Sequence, residues 1–232
     1  MTNGSEEDRT GHEYDHWAGE SGLAGKGLRF LFSPRGIRLL HPNVSGVIRA
    51  LGLSPEHRVL DIGCGMSAFL LELDRRLHFR TSPEGIDASP GMIELGRRYL
   101  QETSATTRID IRVAKATEVP FPDSSFDVAV CSYVIKYMGD DSLARAFAEA
   151  RRVLVPGGKL ALWEFGPSLM PFFTSLSTKL LKAKISTVIL RTEGHVADLM
   201  QSAGFVRVSL LGLGPHLIIP WLPRVALVGV KP

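Results

Sequence analysis

Residues 59–67 read Val-Leu-Asp-Ile-Gly-Cys-Gly-Met-Ser, a short apolar run that ends on an acid and opens into two glycines. Glycines at such a turn let backbone approach a ligand and point N–H groups at it. Asp61 stands two residues before Gly63, with Cys64 between Gly63 and Gly65. A carboxylate there repels a pyrophosphate but suits a ligand with positive charge or hydroxyls. The expected ligand is a nucleoside carrying a cation rather than a dinucleotide. A second carboxylate, Asp87, closes the run Gly85-Ile86-Asp87. It can accept hydrogen bonds from both ribose hydroxyls; the alternative, a helix-capping acid, is disfavoured because Ser89 already fills the cap of the helix that follows. Met92, on the first turn of that helix, either covers an adenine face or packs in the core.

These residues need a frame of alternating strands and helices. Strands are expected at 57–62, at a segment ending on Asp87, at 109–114, at 126–132 and at 159–165. The helices between them cover 66–78, Ser89-Pro90 to about 101, and 142–153, the last capped by Asp140 or Asp141. The 126–132 run is nearly continuous in apolar residues, as in a parallel strand buried on both faces. A helix over 192–202 ends at Gly204, a C′ glycine. Strands 205–211 and 225–230 follow with no crossover helix between them, so they pair antiparallel. The fold class is α/β, a doubly wound, seven-stranded, mostly parallel sheet with one antiparallel strand near the C-terminus and an N-terminal helical cap. In such a sheet a ligand binds at the carboxyl ends of the strands, where strand order reverses.

The 232 residues, 44% of them hydrophobic, suit a single domain over 16–232. Residues 1–15 read as a disordered or flexible N-terminus, 16–53 as a cap with a helix over 44–52 capped by Asn43, and 166–191 as a lid-like insert. Two cysteines exclude a disulfide framework and point to a reduced, cytoplasmic setting. The apolar stretch 208–230 is broken by glycines, prolines and Arg224, which excludes a membrane span. Net charge is +3, but residues 1–20 carry −5, and residues 21–50 hold five cations and no acid. That basic stretch is a solvated face or an attraction to an anionic substrate or membrane surface. It has no nucleic-acid motif.

Gly63 to Ala68 also fits G-x-G-x-x-A, the fingerprint of an NAD(P)-binding oxidoreductase, with Asp87 at about the right distance. Asp61 and the antiparallel C-terminal pair argue against it. Five segments in order, Val59–Gly65, Gly85–Met92, Val113–Met138, Leu154–Leu160 and Ala203–Phe205, resemble the class I S-adenosylmethionine-dependent methyltransferases. The similarity is to the type 11 group, which contains quinone C-methyltransferases. The resemblance implies S-adenosylmethionine as cofactor, with S-adenosylhomocysteine as product. Asp61 and Gly63–Gly65 would bound its methionine part, and Asp87 its ribose. Ala88 and Met92 would lie near the adenine, which Ala116 and Thr117 would flank. Cys131 and Ser132 would offer carbonyls to the ammonium, and Tyr14 would close over the cofactor.

The chain departs from the pattern at Lys115, where many relatives have an aspartate that accepts from the adenine amine. Lysine has only donors, so a backbone carbonyl or Glu118 substitutes, or Lys115 points to solvent. Lys136-Tyr137 replaces a common histidine pair. Methyl transfer requires chiefly that the acceptor be oriented and water excluded. An oxygen acceptor also needs a base, for which Tyr137, Glu164 and His195 are candidates. Phenylalanines and leucines at 172–181 with Lys179, Lys182 and Lys184 form an ordinary amphipathic helix or a lid for an apolar substrate, with peripheral membrane contact as a further reading. The expected partner is a small, apolar molecule, not a nucleic acid, and no metal ligands are assigned. A cofactor-binding protein without transferase activity is the alternative.

Overall fold

A computed structural model describes residues 6–19, 30, 33, 36, 44–103, 109–167, 188–213 and 223–232, with residues 17–19 as backbone. Most of the expected 166–191 insert, and Asn43, lie outside the described residues. Seven strands form one sheet: β1 (Val59–Ile62), β2 (Glu84–Asp87), β3 (Asp110–Val113), β4 (Phe126–Ser132), β5 (Leu154–Phe165), β6 (Val206–Leu210) and β7 (Arg224–Val230). Their order is β3-β2-β1-β4-β5-β7-β6. The first five run parallel, and β7 is antiparallel to both β5 and β6. The seven-stranded expectation with one reversed strand is therefore met.

Among the described residues the α-helices are α1 (Glu6–Gly19), α2 (Val44–Leu51), α3 (Ala68–Leu77), α4 (Pro90–Glu102), α5 (Asp140–Val153) and α6 (Glu193–Ser202). They cover both faces of the sheet, because successive strand residues point to opposite sides. Leu60, Ile62, Ala129, Cys131, Leu160 and Leu162 join one core with α5 and α6 residues. Val59, Val128, Val130, Ala161 and Trp163 join the other, with α2, α3 and α4. Phe126 and Val128 share parity yet face opposite cores, and the β4–β5 register shifts between them. The N–H groups of Asp127 and Val128 both donate to the Arg58 carbonyl, which marks the irregularity.

Two expectations about the ends of elements are corrected. Residues 6–15 are helical, not disordered. Glu6, Glu7 and Asp8 fill the first turn of α1, where acids favour a helix, and they bond to other parts of the chain. Helix α5 starts at Asp140 after an N-cap of Gly139 with no side-chain cap. Asp140 instead accepts from Arg191 Nε at 2.9 Å and meets His195 Nε2 at 2.8 Å. Ser89 does cap α4, its hydroxyl accepting from Met92 N at 3.1 Å.

Candidate functional site

Strand order reverses between β1 and β4, so the carboxyl ends of β1, β2, β3 and β4 frame the site. The turn after β1 differs from the expectation in one respect. The N–H groups of Gly63 and Cys64 donate to the Ile86 carbonyl at 2.7 and 2.9 Å, and Gly65 N donates to Asp87 Oδ2 at 2.9 Å. The parallel pairing of β1 with β2 continues past Ile62 and takes up these donors. What the turn supplies is close approach. Gly63 has φ +77, and a Cβ there would lie 2.1 Å from Val134 Cγ2. Gly63→Ala is expected to lose about 2 kcal/mol of stability through strain and overpacking. Thermal denaturation should show a Tm lower by roughly 4–8 °C.

Asp61 is 1% exposed, and its Oδ1 has no hydrogen-bond partner among the described residues. Burial first, and the charge of Asp87 second, push its carboxyl up to about 8. Asp87 is held in place by Gly65 N and by Ser89 N, which donates to Oδ1 at 2.9 Å. The site thus has a fixed carboxylate at the end of β2 and an unsatisfied carboxyl at the end of β1. This fits a ligand with hydroxyls at one point and an ammonium at another, since a buried carboxylate needs donors. Met92, Cys131 and Ser132 are buried, and Cys131 and Ser132 end β4 beside Leu162 and Trp163 of β5.

Helix α1 lies across these strand ends. Glu6 Oε2 accepts from Gly139 N at 2.8 Å, and Glu7 Oε1 from Ala116 N at 2.6 Å. Glu7 Oε2 accepts from the Thr117 hydroxyl. Asp15 Oδ1 accepts from Ser89 Oγ at 2.5 Å and Gly91 N at 2.7 Å. Gly11 permits the approach, because a Cβ there would sit 2.8 Å from the Ala88 carbonyl oxygen. Lys115 pairs with Asp8 at 2.7 Å rather than pointing to bare solvent.

The structure joins Tyr14 to Tyr137 through a 2.7 Å bond between hydroxyls. Burial raises both phenols above the ordinary tyrosine range. Tyr137 therefore keeps its proton at neutral pH and is suited to donate a hydrogen bond. Glu164 is buried against Lys136, 3.2 Å from its ammonium, and also accepts from Phe165 N at 2.8 Å. Lys136 Nζ lies 4.2 Å from the Tyr137 ring centroid and 5.5 Å from those of Tyr133 and Phe165, and it donates to the Tyr133 carbonyl. His195 is placed elsewhere, against Asp140 at the start of α5. Among the described residues no group of three or more His, Cys, Asp or Glu could hold a metal ion.

Sequence reasoning missed Glu7, Asp8 and Asp15. The signal for the first two was the acidic first turn, six to eight residues ahead of Tyr14. Glu7, Thr10 and Tyr14 have helical spacing and share a face, but reading residues 1–15 as disordered or flexible hid that.

The doubly wound, mostly parallel sheet with its reversed β7 is a Rossmann-like fold that solved methyltransferase structures share. Residues 59–158 match the family model described as a methyltransferase domain. The ubiquinone/menaquinone biosynthesis C-methyltransferase UbiE of Geobacter sp. (strain M21) is 36% identical over 129 residues, 56% of this chain and 54% of that protein. The demethylmenaquinone methyltransferase of Deinococcus radiodurans is 35% identical over 124 residues, 53% and 49% of the two chains. The chain spans about half the length of these curated relatives. A SAM-dependent methyltransferase from Methanosarcina mazei superposes with a TM-score of 0.64 at 23% identity, covering 80% of this chain and 96% of that one. The geranyl diphosphate C-methyltransferase of Streptomyces coelicolor gives 0.62 at 17% identity, over 82% and 78%. These structures share the fold.

Proposed function

We propose that this protein transfers a methyl group from S-adenosylmethionine to a small, apolar acceptor of quinone, lipid or secondary-metabolite type. The observation that carries the reading is the pair of carboxyls at the ends of β1 and β2. Asp87 is pre-set by two backbone amides to accept ribose hydroxyls, and Asp61 has an oxygen without a donor among the described residues. When bound, S-adenosylmethionine supplies an electrophilic methyl on a sulfonium. The chain's part is to hold the nucleoside on Asp87, take the methionine ammonium on Asp61 with the Cys131 and Ser132 carbonyls, and keep water out. Tyr14, on α1, closes the site from above through its bond to Tyr137.

The acceptor's chemistry follows from the three candidate bases. Tyr137 holds its proton, Glu164 is engaged by Lys136 and Phe165, and His195 is tied to Asp140. Neither Tyr137 nor Glu164 stands ready to deprotonate an alcohol, which supports an acceptor whose carbon is already nucleophilic. The similarity to quinone C-methyltransferases supports the same choice.

Calorimetric titration with S-adenosylhomocysteine and with a nicotinamide dinucleotide tests the cofactor. The expected result is one-to-one binding of the first and none of the second; the reverse overturns the reading. Asp87→Ala should weaken S-adenosylhomocysteine about 100-fold or more, from two lost charge-assisted hydrogen bonds. Turnover on a panel of quinols, phenols and amines tests the acceptor. Binding without turnover on any of them favours a cofactor-binding protein.

A further inference from the structure

On the S-adenosylmethionine reading, the base of a nucleoside whose ribose rests on Asp87 lies toward the end of β3 and residues Ala114–Thr117. In the sheet β2 is flanked by β1 on one side and β3 on the other, and Ala114 N donates to the Asp87 carbonyl at 3.0 Å. The chain's own side chain at that end is Lys115, which has only donors. Its ammonium is drawn off by Asp8 at 2.7 Å. Besides Glu118, paired to Lys115 across the turn, carboxylates reach this end from α1. Glu7 is held by Ala116 N at 2.6 Å on one oxygen and by the Thr117 hydroxyl on the other. Each carboxylate oxygen retains a second lone pair.

Two more features mark this face of α1 as ligand-bearing. Thr10, one turn beyond Glu7 and on the same side as Tyr14, is buried, and its Oγ1 has no hydrogen-bond partner among the described residues. Buried hydroxyls are seldom left so. The helix is also fixed at both ends of this face, by Glu6 on Gly139 N and by Asp15 on Gly91 N. An acceptor held by two donors on an anchored helix is pre-organised.

Resting on the S-adenosylmethionine reading, we infer that Glu7 reads the purine's exocyclic amine and so selects a 6-amino over a 6-oxo base. The amine donates to the Glu7 carboxylate. A 6-oxo group presents a lone pair to the same carboxylate and is repelled, so the base loses this partner while Glu7 keeps only Ala116 N and the Thr117 hydroxyl. Sites built to bond a polar group of the ligand reject analogues lacking it strongly.

The test is calorimetry with S-adenosylhomocysteine and its 6-oxo counterpart, S-inosylhomocysteine. The wild-type protein is expected to prefer the adenosyl compound about 30-fold or more. Glu7→Ala is expected to bring the ratio within about threefold, chiefly by weakening the adenosyl compound about tenfold. Glu7→Gln, whose amide presents either an oxygen or an N–H, is expected to erode the preference at nearly unchanged shape. Circular dichroism shows that each variant is folded. An undiminished ratio in Glu7→Ala overturns the inference. So does tighter binding of both compounds, which would mean that Glu7 only covers the Ala116 amide. Equal wild-type affinity for the two overturns this inference alone. Failure of the wild-type protein to bind either overturns the cofactor reading with it.

Discussion

Glu164→Ala is expected to lower the unfolding free energy by about 3–5 kcal/mol, the usual result of removing one partner of a buried ion pair. Lys136 is 2% exposed, and Glu164 is its carboxylate partner in the ion pair. The three rings around Lys136 and the Tyr133 carbonyl hold the ammonium's direction but cannot neutralise it. Phe165 N would lose its acceptor in the same change. Without Glu164, burial alone acts on Lys136 and lowers its pKa, so the folded variant binds fewer protons than the unfolded chain. Its stability then rises with pH toward the ordinary lysine range, about 10.4. Urea denaturation at pH 7 and pH 9.5 checks both the size and the sign. The paired change Lys136→Met with Glu164→Leu should recover most of the loss, because apolar replacement of a whole buried pair is often neutral. A single-variant loss below about 1 kcal/mol would contradict the buried-pair account.

The affinity for S-adenosylhomocysteine is expected to fall about tenfold for each pH unit below 8, and so about 100-fold between pH 8 and pH 6. The Asp61 carboxyl, pushed up to about 8, is protonated in the free protein below that pH. The ligand's ammonium is matched by the ionised form, so binding must expel a proton. The unfolded chain releases that proton near pH 4. The native state therefore gains stability from Asp61 below pH 4, and that gain is lost as pH rises through 8. Ligand-free stability and ligand affinity thus move in opposite directions with pH. Calorimetry in two buffers of different ionisation enthalpy measures the proton released. Asp61→Asn should bind weakly at every pH, flatten the profile and remove the loss of stability between pH 4 and pH 8. A wild-type affinity independent of pH from 6 to 8 would show that Asp61 does not meet the ammonium.

Much of the sheet was legible because local signals agree with the global arrangement. The 126–132 run is apolar throughout and became β4, buried between β1 and β5. Ser89-Pro90 carries both a cap and a first-turn proline, and α4 begins there. Gly204, at φ +89, follows α6 as a C′ residue must. Asp61 and Asp87 were legible for the same reason: a strand end in a parallel sheet has one location relative to its neighbours. The α5 cap was not legible, since Asp140 and Asp141 both look like caps until Arg191, 51 residues on, claims the first. His195 looked catalytic for a similar reason, and its partner is that same Asp140.

The sequence by itself determined the alternating elements, the reversed last strand and the two carboxyls at the ends of β1 and β2. These depend on spacing within one segment, and hydrophobic period and turn chemistry record them locally. Only the tertiary structure decided where the turn amides go, that Lys136 and Glu164 form a buried pair, and that an acidic helix reaches over the site to Ala116. Each of those depends on groups more than twenty residues apart in the chain. Charge and hydrogen bonding act through space, and a run such as Glu6-Glu7-Asp8 carries no mark of the amide it will meet.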